Sequence, residues 1–221
     1  MEVLQLHSAV KSFGRKKIVR EVSFQIEKGT IVGLFGRNGS GKSTLLKLLF
    51  GTLKADALEV SIDGQLVRPS QVIPKQLIGY APQHGFLPKN RKVRDIIPLF
   101  HSSEEKQDAI FYDSHIATMT HKSVEQLSLG ELKYFEVVLL SHLPHPFLML
   151  DEPFSMLEPL HKARLKEFLV ALKQLKGMLI TDHYYQDVLE IADQNIVIKE
   201  GISYPITNTQ DLQRFEYISK K

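Results

Sequence analysis

Gly36-Arg37-Asn38-Gly39-Ser40-Gly41-Lys42-Ser43 decides how this chain is read. It fits the pattern G-x-x-x-x-G-K-[ST], in which glycines let the backbone curl until successive N–H groups face one anion. The flanks supply the context the pattern needs. Ile31-Val32-Gly33-Leu34-Phe35 is a short apolar run that predicts a buried strand. Leu45, Leu46, Leu48 and Leu49 then fall at helical spacing, with Gly51 as the stop. Strand, turn and helix together aim main-chain amides and the positive end of the helix at a phosphate. In that frame Lys42 reaches the β- and γ-phosphates of a nucleoside triphosphate, Ser43 offers a hydroxyl to Mg²⁺, and Thr44 donates to the α-phosphate.

Working outward, Val3–Leu6 and Val22–Ile26 alternate like half-buried strands. Leu58–Ile62, Asp63-Gly64 and Gln65–Val67 predict a hairpin closed by an Asp-Gly turn. Ile78-Gly79-Tyr80 is a further short strand. From about His84 to Leu143 the chain is richer in charge and helical pattern, which predicts a mostly helical insertion. Phe147–Leu150 returns to a buried strand. Pro159 suits a first helical position, and Leu165, Phe168, Leu169, Leu172 and Leu175 mark one face of a helix ended by Gly177. Met178–Thr181 and Asn195–Lys199 are two more strands, with a helix through Tyr185–Ala192 between them. Strands alternating with helices imply an α/β fold with a mainly parallel sheet.

Phe147-Leu148-Met149-Leu150-Asp151-Glu152 is an apolar strand that ends in two carboxylates. Acids at a strand end are common, but after a phosphate loop they acquire roles. Neighbouring strand residues point to opposite faces, so the two acids are expected to differ. Asp151 is assigned to Mg²⁺ through water, and Glu152 to polarising the attacking water as general base.

Composition sets the bounds. The 221 residues, 43% hydrophobic, are enough for one large domain with a substantial core. A formal net charge of +3 is too mild to imply a nucleic-acid partner. The chain has no cysteine, which excludes disulfides and thiolate-ligated metal and fits a reducing compartment. The start of the sequence does not resemble a signal peptide, and no apolar run approaches the ~20 residues needed to cross a bilayer. The nine histidines show no metal-binding spacing, so no bound transition metal is expected.

The order of these motifs resembles the ATPase domains of the ABC superfamily over almost the whole chain. The resemblance implies the P-loop fold of that type, with a mainly parallel core, an N-terminal antiparallel β subdomain and a helical subdomain. On that pattern residues 1–221 form one domain, with 1–83 and 144–221 as the nucleotide-binding core and 84–143 as the helical part. It also implies ATP with Mg²⁺ as the ligands, and further site residues. Phe13 matches the aromatic that stacks on adenine, with Ile18 lining the base. Gln83, in Ile78-Gly79-Tyr80-Ala81-Pro82-Gln83, matches the glutamine that contacts Mg²⁺ and the attacking water. Leu127-Ser128-Leu129-Gly130-Glu131 corresponds to the signature LSGGQ, in which Ser128 and the Gly130 N–H bind the γ-phosphate of ATP held by a second subunit. Ser128 also suits a helix N-cap with Glu131 as its N3 partner. Ser155-Met156-Leu157-Glu158 matches the D-loop, and His183, in Thr181-Asp182-His183, matches the switch histidine that reads the γ-phosphate.

Three departures bear on the site in trans. Leu129 stands in place of a signature glycine, Glu131 in place of glutamine, and Glu158 in place of the D-loop aspartate. They suggest an active but slow enzyme. The function implied is an ATP-hydrolysing subunit that pairs with a copy of itself or another ATPase subunit. It would drive a separate transmembrane permease from the cytoplasmic face of the membrane. The alternatives are a non-transport ABC ATPase or a weakly active ATP-binding switch. Asp151-Glu152-Pro153-Phe154 and Thr181-Asp182-His183 look similar to the lipopolysaccharide-export branch. The basic run Lys89, Arg91, Lys92 and Arg94 is either a solvated face or a rim for the partner or for anionic lipid heads. Ile96, Ile97, Leu99 and Phe100 supply either a groove floor or core.

Overall fold

A computed structural model describes residues 2–218; the ends of the 1–221 range, Met1 and residues 219–221, lie outside them. The first strand is longer than its alternation suggests. β1 (Val3–Phe13) pairs antiparallel with β2 (Lys16–Val19), β3 (Phe24–Glu27) and β5 (Ala57–Ile62), and β5 pairs with β6 (Gln65–Leu66). The pairing of β1 with β5 shifts register between Leu6 and Ser8. That irregularity moves the buried positions from Leu4 and Leu6 to Ala9, so strict alternation ends where the strand does not. The turn between β5 and β6 has positive φ at Asp63 and Gly64, the backbone an Asp-Gly hairpin turn needs.

The second sheet runs β11-β10-β4-β9-β8-β7. Its members are β4 (Ile31–Phe35), β7 (Ile78–Ala81), β8 (Phe147–Asp151), β9 (Gly177–Thr181), β10 (Gln194–Lys199) and β11 (Ile202–Ile206). All its pairings are parallel except β10 with β11. β4, β8 and β9 are buried at every position, which is why they read as unbroken apolar runs. Their side chains still alternate. Val32, Leu34, Phe147, Met149 and Leu179 join a core with α1 (Lys42–Phe50) and the small sheet. Ile31, Phe35, Leu148, Leu150, Met178 and Ile180 join a second core on the opposite face. That core includes α5 (Leu129–Ser141), α6 (Pro159–Leu172) and α7 (Tyr185–Ile191). The sheet therefore divides two cores, and the parallel strands deliver their C-terminal ends to one edge.

Residues 84–143 hold α3 (Val93–Phe100), α4 (Glu104–Phe111), two 3-10 turns (Ile116–Met119 and Val124–Gln126) and α5. Two short helices complete the set, α2 (Pro69–Val72) and α8 (Thr209–Arg214). In α3, Ile96 and Ile97 are fully buried, so they are core, whereas Leu99 is 71% exposed. Lys89, Arg91, Lys92 and Arg94 are exposed.

Two expectations need correction, and one strand has no counterpart in the sequence pattern. α6 stops at Leu172, so Leu175 lies past the helix and is exposed rather than on its buried face. Gly177 does not end that helix; it opens β9. β11 follows a Glu200-Gly201 turn with positive φ at both residues and carries Pro205 on the outermost strand, where a missing N–H is tolerated. A proline in a short run hides such a strand from pattern reading.

Gly177 is required by space. A Cβ there would sit 2.8 Å from the carbonyl oxygen of Glu27 and 2.8 Å from the Phe147 ring. Gly177→Ala is therefore expected to cost about 1–3 kcal/mol through overpacking against main chain. Urea unfolding measures it, and an unchanged midpoint would show that the β3 end yields freely.

Candidate nucleotide site

The phosphate loop lies where β4 gives way to α1. Gly41 is the N-cap of α1 at φ 105°, and a side chain there would be strained and would press on Ile18. α1 has no acidic residue in its first turn and no side-chain cap, so its N-terminal amides are left for an outside anion. Lys42 is buried and folds its ammonium back to the carbonyl of Gly36 at 2.6 Å. Burial holds its pKa below the usual lysine value, while Glu152, Asp151 and Asp182 pull the other way.

A cleft of about 440 Å³ opens over this loop. Phe13, Ile18, Asn38, Gly39, Gly41, Lys42, Ser43, Thr44, Gln83, Glu152 and His183 line it. Strands and loops far apart in sequence thus bring together most of the residues named from the motifs. Phe13 ends β1 and is half exposed, with the Lys11 ammonium 5.2 Å from its ring centre. Gly36, Arg37 and Ser40 line the adjoining pocket on the other flank of the loop, together with Lys16, Lys17 and Arg20. Asp151 stands behind the cleft, accepting from Ser43 Oγ at 3.1 Å. Ser128 and Gly130 do not line the cleft. Ser128 caps α5, accepting from the Glu131 amide at 3.2 Å, while its own amide donates to the Glu131 carboxylate at 2.8 Å.

The two acids part company by backbone rather than by strand alternation. β8 ends at Asp151, and Glu152 turns to φ 57°, anchored by its amide on the Thr181 carbonyl at 2.7 Å. Glu152 Oε2 accepts from Gln83 Nε2 at 2.8 Å, and Oε1 lies 2.7 Å from His183 Nε2. Ser155 Oγ also donates to Oε2 at 3.2 Å. Burial pushes the pKa of Asp151 up, and its bonds from Ser43 and Tyr80 push the other way.

Two residues in this network are not legible as site residues in the sequence. Tyr80 donates its hydroxyl to Asp151 Oδ2 at 3.1 Å. Asp182, fully buried, takes the amides of Phe154 at 2.6 Å and Tyr184 at 2.9 Å, which ties the turn after β8 to the turn after β9. The available signal was the same for Asp182 as for Asp151, an acid directly after an apolar strand.

The donor set fits magnesium. Ser43 Oγ and Asp151 Oδ1 are hard oxygens brought together beside the loop, with the Gln83 side chain on the cleft wall. Among the described residues no group of three or more His, Cys, Asp or Glu is placed to enclose a metal.

The family model for ABC transporters matches residues 19–155. The chain belongs to the ABC transporter family. It is 31% identical over 202 residues to a probable ABC transporter ATP-binding protein of Azorhizobium caulinodans, covering 86% of this chain and 72% of that protein. It is 27% identical over 215 residues to the lipopolysaccharide export system ATP-binding protein LptB of Haemophilus influenzae, covering 91% and 88%. In fold it is similar to a nucleotide-free ATP-binding cassette from an ABC transporter, with TM-score 0.84 at 22% identity, covering 99% of this chain and 96% of that one. It is also similar to a bacterial Atm1-family exporter with ATP bound, with TM-score 0.82 at 21% identity, covering 96% of this chain and 40% of that one. The chain is a nucleotide-binding subunit of this family, whose members are ATP hydrolases.

The Tyr80 bond generates a direct test. Tyr80→Phe removes a donor from the buried Asp151 carboxylate and is expected to cost about 1–3 kcal/mol, read from urea unfolding. Stability equal to the parent would show that Asp151 finds another donor unaided.

Proposed function

We propose that this chain binds and hydrolyses ATP with Mg²⁺ as one half of an ATPase pair, and that the pair drives a separate transmembrane permease. The observation that carries the reading is Glu152, held between Gln83 and His183 at the wall of a cleft floored by the phosphate loop. Among the described residues no helix is long and apolar enough to cross a membrane, so a membrane role runs through the partner. The proposed place of action is the inner face of the cell membrane.

Each side chain has a task that its position allows. Phe13 offers an exposed ring to the adenine, and Ile18 lines the base beside it. Loop amides from Gly36 to Ser43 and the start of α1 receive the phosphates. Lys42 exchanges its main-chain acceptor, the Gly36 carbonyl, for phosphate oxygen. Ser43, Asp151 through water, and Gln83 would hold Mg²⁺. When bound, that ion neutralises phosphate charge and orients the terminal phosphoryl group. Glu152 takes a proton from the water that displaces ADP at the γ-phosphorus, and Gln83 fixes that water and the carboxylate together. His183, now on Glu152, moves to the γ-phosphate and reports its presence.

The second half of the site comes from the partner copy. Ser128 and Gly130 sit at the N-terminal end of α5, which is outside the cis cleft and suits delivery to a nucleotide on another subunit. Leu129 projects there, 55% exposed, where a glycine would let main chain come closer. Glu158, one methylene longer than aspartate, caps α6 without a side-chain bond. We read the enzyme as active but slow for these reasons.

Two variants separate the parts of the proposal. Glu152→Gln is expected to lower turnover by on the order of 10²–10⁴-fold while ATP still binds, measured by phosphate release and equilibrium titration. Normal turnover would remove Glu152 from the base role. Leu129→Gly is expected to raise turnover; no gain would assign the slowness elsewhere.

A further inference from the structure

α5 has a second connection to the site that none of the motifs describes. One turn in from Ser128, Lys133 reaches across to the loop after β7. Its ammonium donates to the Pro82 carbonyl at 2.8 Å and to the Gln83 carbonyl at 2.6 Å. Three residues further along α5, Glu136 is fully buried and its Oε1 accepts from the Phe86 amide at 2.9 Å. A cation thus grips carbonyls at one end of the loop, and a carboxyl group takes the Phe86 amide at the other. Residues at i and i+3 share a helix face, so both grips act from one side of α5. The 82–86 loop carries no regular secondary structure of its own, so these bonds are among the contacts that fix its position.

The same loop ends the line of contacts that holds the acid. Gln83 gives its carbonyl to Lys133 and its side-chain amide to Glu152. We infer that Lys133 is a positioning residue for Gln83. With Glu136 it ties the 82–86 loop to α5 and so sets the reach of Gln83 toward Glu152. This rests on the role proposed above for Gln83. A displaced Gln83 leaves Glu152 without its side-chain amide donor. Burial lowers the pKa of Lys133 and raises that of Glu136, as for two charges withdrawn from water and held by main-chain partners.

The test is steady-state ATP hydrolysis by the full chain with four variants: Lys133→Met, Lys133→Arg, Gln83→Ala and the Gln83→Ala/Lys133→Met pair. Lys133→Met is expected to lower kcat by on the order of 10-fold or more, since misplacing a catalytic group by about 1 Å costs up to ~10²-fold. KM for ATP should change by a smaller factor than kcat, because the phosphate loop is untouched. Lys133→Arg, which keeps the donors, should recover most of the loss. The double variant should turn over no more slowly than Gln83→Ala alone, because both changes break one line of contacts. Should Lys133→Met not fold, Lys133→Gln replaces it with the same expected outcomes. The inference is overturned by parental kcat in the folded Lys133 variant, by KM rising by a larger factor than kcat falls, or by full additivity with Gln83→Ala. A slow Gln83→Ala beside a normal Lys133 variant sinks the inference and leaves the role of Gln83 standing. Parental turnover in Gln83→Ala itself removes that role and the inference with it.

Discussion

One buried cation facing three buried carboxylates sets the terms for this protein. Lys42 sits at the start of α1, and Asp151, Glu152 and Asp182 all act on it. Isolated charges do not stay buried unless they are paired or hydrogen-bonded. Each of the four has found partners: Lys42 the Gly36 carbonyl, Asp151 the Ser43 and Tyr80 hydroxyls, Glu152 the Gln83 amide, Asp182 two backbone amides. The fold exists to bring these groups to one edge. Parallel strands β4, β8 and β9 end together there, and each hands over to a turn that carries one or two of the charges. A carbonyl-bound ammonium beside uncapped helix amides is the arrangement that the proposed exchange for phosphate oxygen needs.

How much of this could be read from sequence follows from how local each feature is. The phosphate loop, the acidic strand end and the buried strands are local patterns, and the structure places them as strands, turns and helix accordingly. Features that depend on tertiary neighbours were hidden. Gly177 reads as a helix stop, yet the Glu27 carbonyl packed against it is what demands glycine. β11 is masked by Pro205, whose place at the sheet margin is known only once the strand order is known. The register shift in β1 breaks the period by which a strand is recognised. In the site, Phe13, Lys42, Gln83, Glu152 and His183 share one cleft, but Tyr80 and Lys133 belong to no motif, and only their bonds reveal them.

The arrangement also separates what one copy holds from what it lacks. The proposed base wall, phosphate floor and hydrolytic wall all line one cleft within a single chain. The N-terminal end of α5 is outside that cleft, capped by its own Ser128–Glu131 box. The capping serine keeps its hydroxyl at the helix end, where an added phosphate oxygen would meet both the hydroxyl and the α5 amides. On the proposed function two incomplete sites become complete only by pairing, and Leu129 is the side chain proposed to limit their approach.

The central claim is that loop amides and Lys42 together grip a triphosphate, and equilibrium titration tests it most directly. Calorimetric titration of the purified chain with ATP and magnesium should show saturable binding that Lys42→Ala abolishes or weakens severely without unfolding the protein. Absence of ATP binding by the parent chain, or unchanged affinity in a folded Lys42→Ala variant, would contradict the account.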